Sequence, residues 1–180
     1  MADDTLLIEV LQESHRFGAL GETPEVAIQH SERFLAALGA ASSVLDLGSG
    51  GGIPGLVLAV RRPDLRVTLL DRRTARTDLL RRLVHRLGVS SRVTVLAGEA
   101  EVFGRQAQYQ GSFDVVVCRS FGTPAVATRM ARPFLRNGGL LIVSEPPDSP
   151  GRWTTDQFVQ GGFVTCDSPG GLQVLQRLYR

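Results

Sequence analysis

Apolar positions recur along this chain with two periods. Between residues 4 and 18, Leu6, Leu7, Val10, Leu11 and Phe17 fall at helical spacing, and Gly18 and Gly21 break the pattern. Thr23-Pro24-Glu25 reads as a helix start, with Thr23 as N-cap and Pro24 at the first position; the helix carries Val26, Ile28, Phe34, Leu35 and Leu38 to a stop at Gly39. From there the pattern changes. Short apolar runs at 44–47, 67–71, 93–96, 113–118 and 140–143 predict buried strands, and helical patterns fill the gaps between them. These helices run through Leu56 to Val60, over about 73–87 with Leu79, Leu80, Leu83, Val84 and Leu87 as one stripe, briefly from Gly98-Glu99-Ala100-Glu101, and from Thr123-Pro124 to about Leu135. Asn137-Gly138-Gly139 predicts a turn into the fifth strand, and the proline-rich stretch from Ser144 to Pro150 a loop arching over the site. Two final runs, 163–166 and 173–178, predict a terminal antiparallel pair. Strands alternating with helices predict an α/β fold with a mostly parallel sheet and its ligand at the carboxyl ends of the strands.

One stretch breaks the monotony of strand and helix. Val44-Leu45-Asp46-Leu47 ends in Gly48-Ser49-Gly50-Gly51-Gly52, and Pro54 opens the following helix. Glycines at 48, 50 and 52 permit positive φ and clear the approach of a ligand to backbone. Asp71 ends the next strand at the spacing where an acid accepts hydrogen bonds from ribose hydroxyls. The glycines fit two registers. Gly50, Gly52 and Gly55 match the dinucleotide fingerprint; Gly48, Gly50 and Gly52 behind Asp46 match the turn that binds S-adenosylmethionine in class I methyltransferases. A carboxylate at 46 repels a pyrophosphate and suits a sulfonium and an amino group, so the second register explains more of the residues.

Composition narrows the chemistry further. The chain has 180 residues, 43% of them hydrophobic, and no apolar run of membrane-spanning length. We expect a single domain, 1–180, with helices over 1–42 and a donor-binding core over 43–180. The acidic start lacks the basic region of a signal peptide, so a cytoplasmic location is expected. Cys118 and Cys166 are isolated, and no metal-ligand spacing involves His15, His30 or His85. All 20 basic residues are arginine, which excludes Schiff-base, pyridoxal-phosphate and P-loop lysine chemistry. Net charge is +2, yet 61–92 holds ten arginines against Asp64, Asp71 and Asp78, a candidate footprint for an anionic partner such as RNA, or a solvated helix face.

Asp46-Leu47-Gly48-Ser49-Gly50-Gly51-Gly52-Ile53-Pro54-Gly55, Leu69-Leu70-Asp71, Glu99-Ala100-Glu101 and Cys118-Arg119-Ser120, in this order and spacing over about 26–143, resemble the bacterial small-subunit rRNA guanine-N7 methyltransferases, the RsmG or GidB family. The resemblance implies a Rossmann-like class I methyltransferase, a seven-stranded sheet with its last strand antiparallel, S-adenosylmethionine as cofactor and 16S rRNA as partner. It places the donor on Asp46, Gly48, Ser49, Gly50, Gly52, Asp71, Arg72, Glu99, Ala100 and Arg119, with Arg119 also facing the acceptor. The chain departs from the family at Glu99, Ser120 and Ser144-Glu145, and in a shorter region before the first strand. Arg119 suits guanine O6 or a phosphate; its alternative is a salt bridge to Asp114 or a helix end. Phe121 either stacks on a base or fills the core. Glu145 would favour a cationic or hydroxylated small molecule, which leaves open a small-molecule methyltransferase and a non-catalytic donor-binding domain.

Overall fold

The computed structural model describes residues 4–144, 153, 155–168 and 170–179. Glu145 and the stretch to Pro150, expected to arch over the site, lie outside the described residues. Two helices come first, α1 (Thr5–Arg16) and α2 (Pro24–Leu38). Pro24 stands at the start of α2, and the Thr23 side chain accepts from the Val26 amide, so the local start signal was sufficient. Strands and helices then alternate: β1 (Ser43–Leu47), α3 (Gly55–Arg61), β2 (Arg66–Asp71), α4 (Thr74–Arg86), β3 (Val93–Ala97), α5 (Ala100–Gly104), β4 (Phe113–Arg119), α6 (Pro124–Ala131) and β5 (Leu135–Ser144). A short α7 (Thr155–Gly161) precedes β6 (Phe163–Thr165) and β7 (Leu172–Arg177).

The seven strands form one sheet in the order β3-β2-β1-β4-β5-β7-β6. Pairs from β3 through to β5 are parallel, and β7 runs antiparallel to both β5 and β6. Alternate strand residues feed two cores. Val44, Val67, Leu69, Val115 and Val117 pack toward α2, α3 and α4, while Leu45, Leu47, Leu70, Val116 and Cys118 pack toward α6 and α7. Burial on both faces is why the strands read as unbroken apolar runs instead of alternating ones.

Three local expectations are corrected. The sixth helix stops at Ala131 instead of continuing to Leu135, because Leu135 pairs with Phe113 and so begins β5 early. Asn137-Gly138-Gly139 therefore lies within β5, absorbed by a register shift between Phe113 and Val115. The α3 helix begins at Gly55, with Pro54 as its cap. Sequence periodicity missed α7 altogether. That helix is a single short stretch with Phe158 as its deeply buried apolar anchor.

Candidate active site

The carboxyl ends of β1, β2, β3 and β4 converge on one side of the sheet, and the loops that leave them enclose a cavity of about 410 Å³. Gly48 and Leu47 form its floor with Leu70; Asp71, Arg72, Arg73 and Arg76 line one side; Gly98, Glu99 and Ala100 another. Ser120, Phe121 and Gly122 from the end of β4, with Glu101 of α5 and Val126, Arg129 and Met130 of α6, complete it.

The glycine turn is held by its own backbone. Gly48 and Ser49 amides donate to the Leu70 carbonyl at 2.8 and 3.0 Å, and the Gly52 amide to Ser49 at 2.7 Å. The Ser49 hydroxyl donates to the Asp46 carbonyl at 2.8 Å. Asp71, 7% exposed, clasps the turn from β2: its Oδ2 accepts from the Gly50 amide and its Oδ1 from the Arg73 amide, both at 2.9 Å. A carboxylate offers about four lone-pair directions, so two remain for a ligand in the cavity. Gly48 has φ 78°, and a Cβ there would sit 2.5 Å from the Phe121 ring, which packs directly on the turn. Ser120 has φ 52°, a left-handed conformation outside glycine, at the strand end beside the cavity.

Asp46 lies behind the turn and outside the cavity wall, 1% exposed. Its Oδ2 accepts from the Gly55 amide at 2.8 Å, while Oδ1 is buried without a partner. Burial pushes its carboxyl up to about 7, with Asp71 adding to the rise and the Gly55 amide and Arg119 opposing it. The wall mixes Asp71, Glu99 and Glu101 with Arg72, Arg73, Arg76 and Arg129, and apolar Leu70, Ala100, Val126 and Met130 give it a surface on which an adenine can lie. Of the residues expected from sequence, the structure brings Gly48, Asp71, Arg72, Glu99 and Ala100 to the cavity wall. Asp46, Ser49, Gly50 and Gly52 build the turn behind it.

Arg119 is placed elsewhere. It pairs neither with Asp114 nor with a helix end but with Glu22, in the loop between α1 and α2, through two hydrogen bonds of 2.5 and 2.8 Å. Asp114 is already satisfied by Ser42, Ser43 and Arg136. Glu22 gave no signal in the sequence, because 97 residues separate it from its partner. The N-terminal helices pack against the turn: the Ser14 hydroxyl donates to the Gly51 carbonyl at 2.8 Å, and Leu7 and Leu11 of α1 join Ile53 and Val57 in a third apolar cluster.

Among the described residues, seven arginines of the 61–92 stretch stand in ion pairs. Arg61 meets Asp4 and Glu32, Arg62 meets Asp64, Arg72 meets Glu99, Arg76 meets Asp71, Arg81 meets Asp78, Arg82 meets Glu13, and Arg86 meets Glu9 and Glu13. Much of the apparent charge excess is thus cancelled by acids from α1, α2 and the neighbouring loops, which a local charge count omits. Among the described residues no cluster of histidine, cysteine or acidic side chains is gathered for a metal, and no helix is long and apolar enough to cross a membrane.

A glycine turn between β1 and α3, an acid at the end of β2, and an antiparallel β7 inserted between β5 and β6 define the class I methyltransferase fold. The O-methyltransferase from Bacillus cereus, solved in complex with SAH, superimposes with a TM-score of 0.69 at 19% identity, covering 98% of this chain and 92% of that one. The particular lineage follows from sequence: the chain belongs to the GidB family, rRNA small subunit methyltransferase G, whose profile matches residues 27–146. The Ribosomal RNA small subunit methyltransferase G of Deinococcus radiodurans is 42% identical over 103 residues, 57% of this chain and 40% of that protein. Its namesake in Deinococcus deserti is 33% identical over 163 residues, 86% of this chain and 66% of that protein. The chain spans less than half the length of the first curated relatives it matches.

Proposed function

We propose that this chain is an S-adenosylmethionine-dependent methyltransferase acting in the cytoplasm on guanine N7 of small-subunit rRNA, with 43–180 as its donor-binding core. The observation that carries the reading is the Asp71 carboxylate fixed on the Gly50 amide at the rim of the cavity, in a chain of this family. Bound S-adenosylmethionine would supply an electrophilic methyl carbon on a sulfonium. Asp71 would accept the ribose hydroxyls, and Ala100, Leu70, Val126 and Met130 would flank the adenine. The buried Asp46 carboxylate favours a cation on the far side of the turn. Guanine N7 has an in-plane lone pair and no proton to lose, so transfer needs alignment and no general base. Arg119, at the end of β4, would meet the acceptor through the N–H donors that its pairing with Glu22 leaves unused.

Calorimetry with S-adenosylmethionine and its demethylated product tests the donor. A mass search of small-subunit rRNA for a 7-methylguanosine lost on gene deletion tests the acceptor. Retention of the donor without turnover of labelled methyl groups would identify a binding domain instead. A small-molecule acceptor is the second reading, favoured by the pairing of the 61–92 arginines with acids. Affinity for rRNA that falls steeply with salt supports the first reading, and indifference to salt the second.

A further inference from the structure

The Glu22–Arg119 pair sits at the centre of a second polar cluster beside the donor turn. His30 Nδ1 of α2 lies 3.9 Å from Glu22 Oε2, and its Nε2 lies 3.3 Å from the Ser144 hydroxyl. Ser144 is the register partner of Arg119 across β4 and β5. The loop before α2, α2 itself, β4 and β5 thus each contribute one side chain to a single polar cluster, and none of the four lines the donor cavity. Glu22 and Arg119 are 19% and 23% exposed, so the pair is reachable from solvent. Burial and the Arg119 charge both hold His30 below its ordinary pKa, which leaves it neutral beside the pair.

An uncovered guanidinium at this position would take a phosphate. One already covered by a carboxylate at 2.5 Å does not, because a phosphate would meet Glu22 nearly as closely as Arg119. What the pair presents is a hydrogen-bond donor beside an acceptor. Arg119 uses two of its five N–H donors on Glu22, and Glu22 turns two of its four lone-pair directions to Arg119 while Oε2 also faces His30 at 3.9 Å, so each keeps at least one free direction without separating. The complement of a donor beside an acceptor is a keto group beside an N–H, which is the O6 and N1–H edge of guanine. Adenine offers the reverse pattern. Reading that edge also leaves N7 free, whereas an unrestrained arginine forks onto O6 and N7 together and occupies the lone pair that must attack.

We infer that Glu22 and Arg119 form a base-edge subsite for O6 and N1–H of the acceptor guanine, with Glu22 as its specificity-determining residue. The inference rests on the guanine-N7 reading above. Its test uses an oligoribonucleotide spanning the guanine that the wild-type protein methylates, with that base replaced by inosine, which keeps O6 and N1–H, or by 2-aminopurine, which has neither. Inosine will be methylated within about threefold of guanosine in kcat/KM and 2-aminopurine about 100-fold more slowly. Glu22→Gln will raise the KM for the oligonucleotide about tenfold, shrink the inosine to 2-aminopurine ratio about tenfold, and leave donor affinity by calorimetry within about twofold. The reversed pair, Glu22→Arg with Arg119→Glu, will recover the melting temperature lost by either single variant and will not recover transfer. Unchanged KM and ratio in Glu22→Gln, or transfer restored by the reversed pair, overturns the subsite and leaves the methyltransferase intact. A wild-type protein that methylates no rRNA overturns the underlying reading instead.

Discussion

The amide of Gly55 donates to Asp46 Oδ2 at 2.8 Å, from the first residue of α3 back to β1, while the other oxygen of that carboxylate is buried without a partner. A Cβ on Gly55 would lie 2.6 Å from Oδ2 and 2.3 Å from Leu69, so only glycine permits this contact. The acid is thus a structural part of the turn as well as a source of negative potential behind it.

Stability will report that burial. The Asp46 carboxyl rises from 3.8 to about 7 on folding, so the folded state binds the extra proton between those values, and stability falls as pH rises through that window. The full span is worth up to about 4 kcal/mol. Asp46→Asn keeps an oxygen for Gly55 and removes the buried charge. In urea unfolding followed from pH 4 to 8, the variant will match wild type within about 1 kcal/mol at pH 4 and exceed it by about 2 kcal/mol at pH 8.

Removing the Asp71 carboxylate strips the turn of its clasp and the cavity of its acceptor. Asp71→Ala leaves the Gly50 and Arg73 amides without their partner and will weaken binding of S-adenosylhomocysteine about 100-fold in calorimetry. Asp71→Asn, which retains one acceptor oxygen, will lose about tenfold.

Gly48 faces two penalties at once. In Gly48→Ala the new methyl enters the left-handed φ at a cost of about 1 kcal/mol, and meets the Phe121 ring at a further cost of about 1 to 3 kcal/mol. Thermal unfolding of Gly48→Ala with Phe121→Ala will recover the contact part and retain the conformational part, relative to Phe121→Ala alone.

At the opposite end of the sheet, Asp114 Oδ2 gathers the amides and hydroxyls of Ser42 and Ser43, and Oδ1 takes Arg136. Burial alone would raise its carboxyl; the Ser42 amide, Arg136 and the serine hydroxyls outweigh burial and hold it well below the usual carboxylate range. The stability it contributes is therefore complete above pH about 4 and lost as pH falls further, toward the folded pKa. Asp114→Asn will cost about 2 kcal/mol at pH 7 and flatten the acid limb of the stability profile.

The resemblance to the family and the alternation of strand and helix were legible before any coordinates. So was the β1-turn-α3 unit with Asp46 and Asp71, because a buried strand, a glycine turn and a capped helix are written in residues close together in sequence. Elements that depend on distant partners were not legible in this way. The early start of β5 is set by Leu135 against Phe113, and α7 follows from packing that its few apolar residues do not announce.

The linear chain by itself determined the period of each element, the glycines that let backbone approach a ligand, and the pair of acids at the ends of the first two strands. These are properties of neighbouring residues and survive without tertiary contact. Only the folded arrangement decided what the charges do: Asp71 onto Gly50, Asp46 into a dry pocket, Arg119 onto Glu22, and Arg61, Arg82 and Arg86 onto acids of the N-terminal region. Electrostatic interaction depends on distance and burial, and the chain brings residues 22 and 119 together only when the sheet is built.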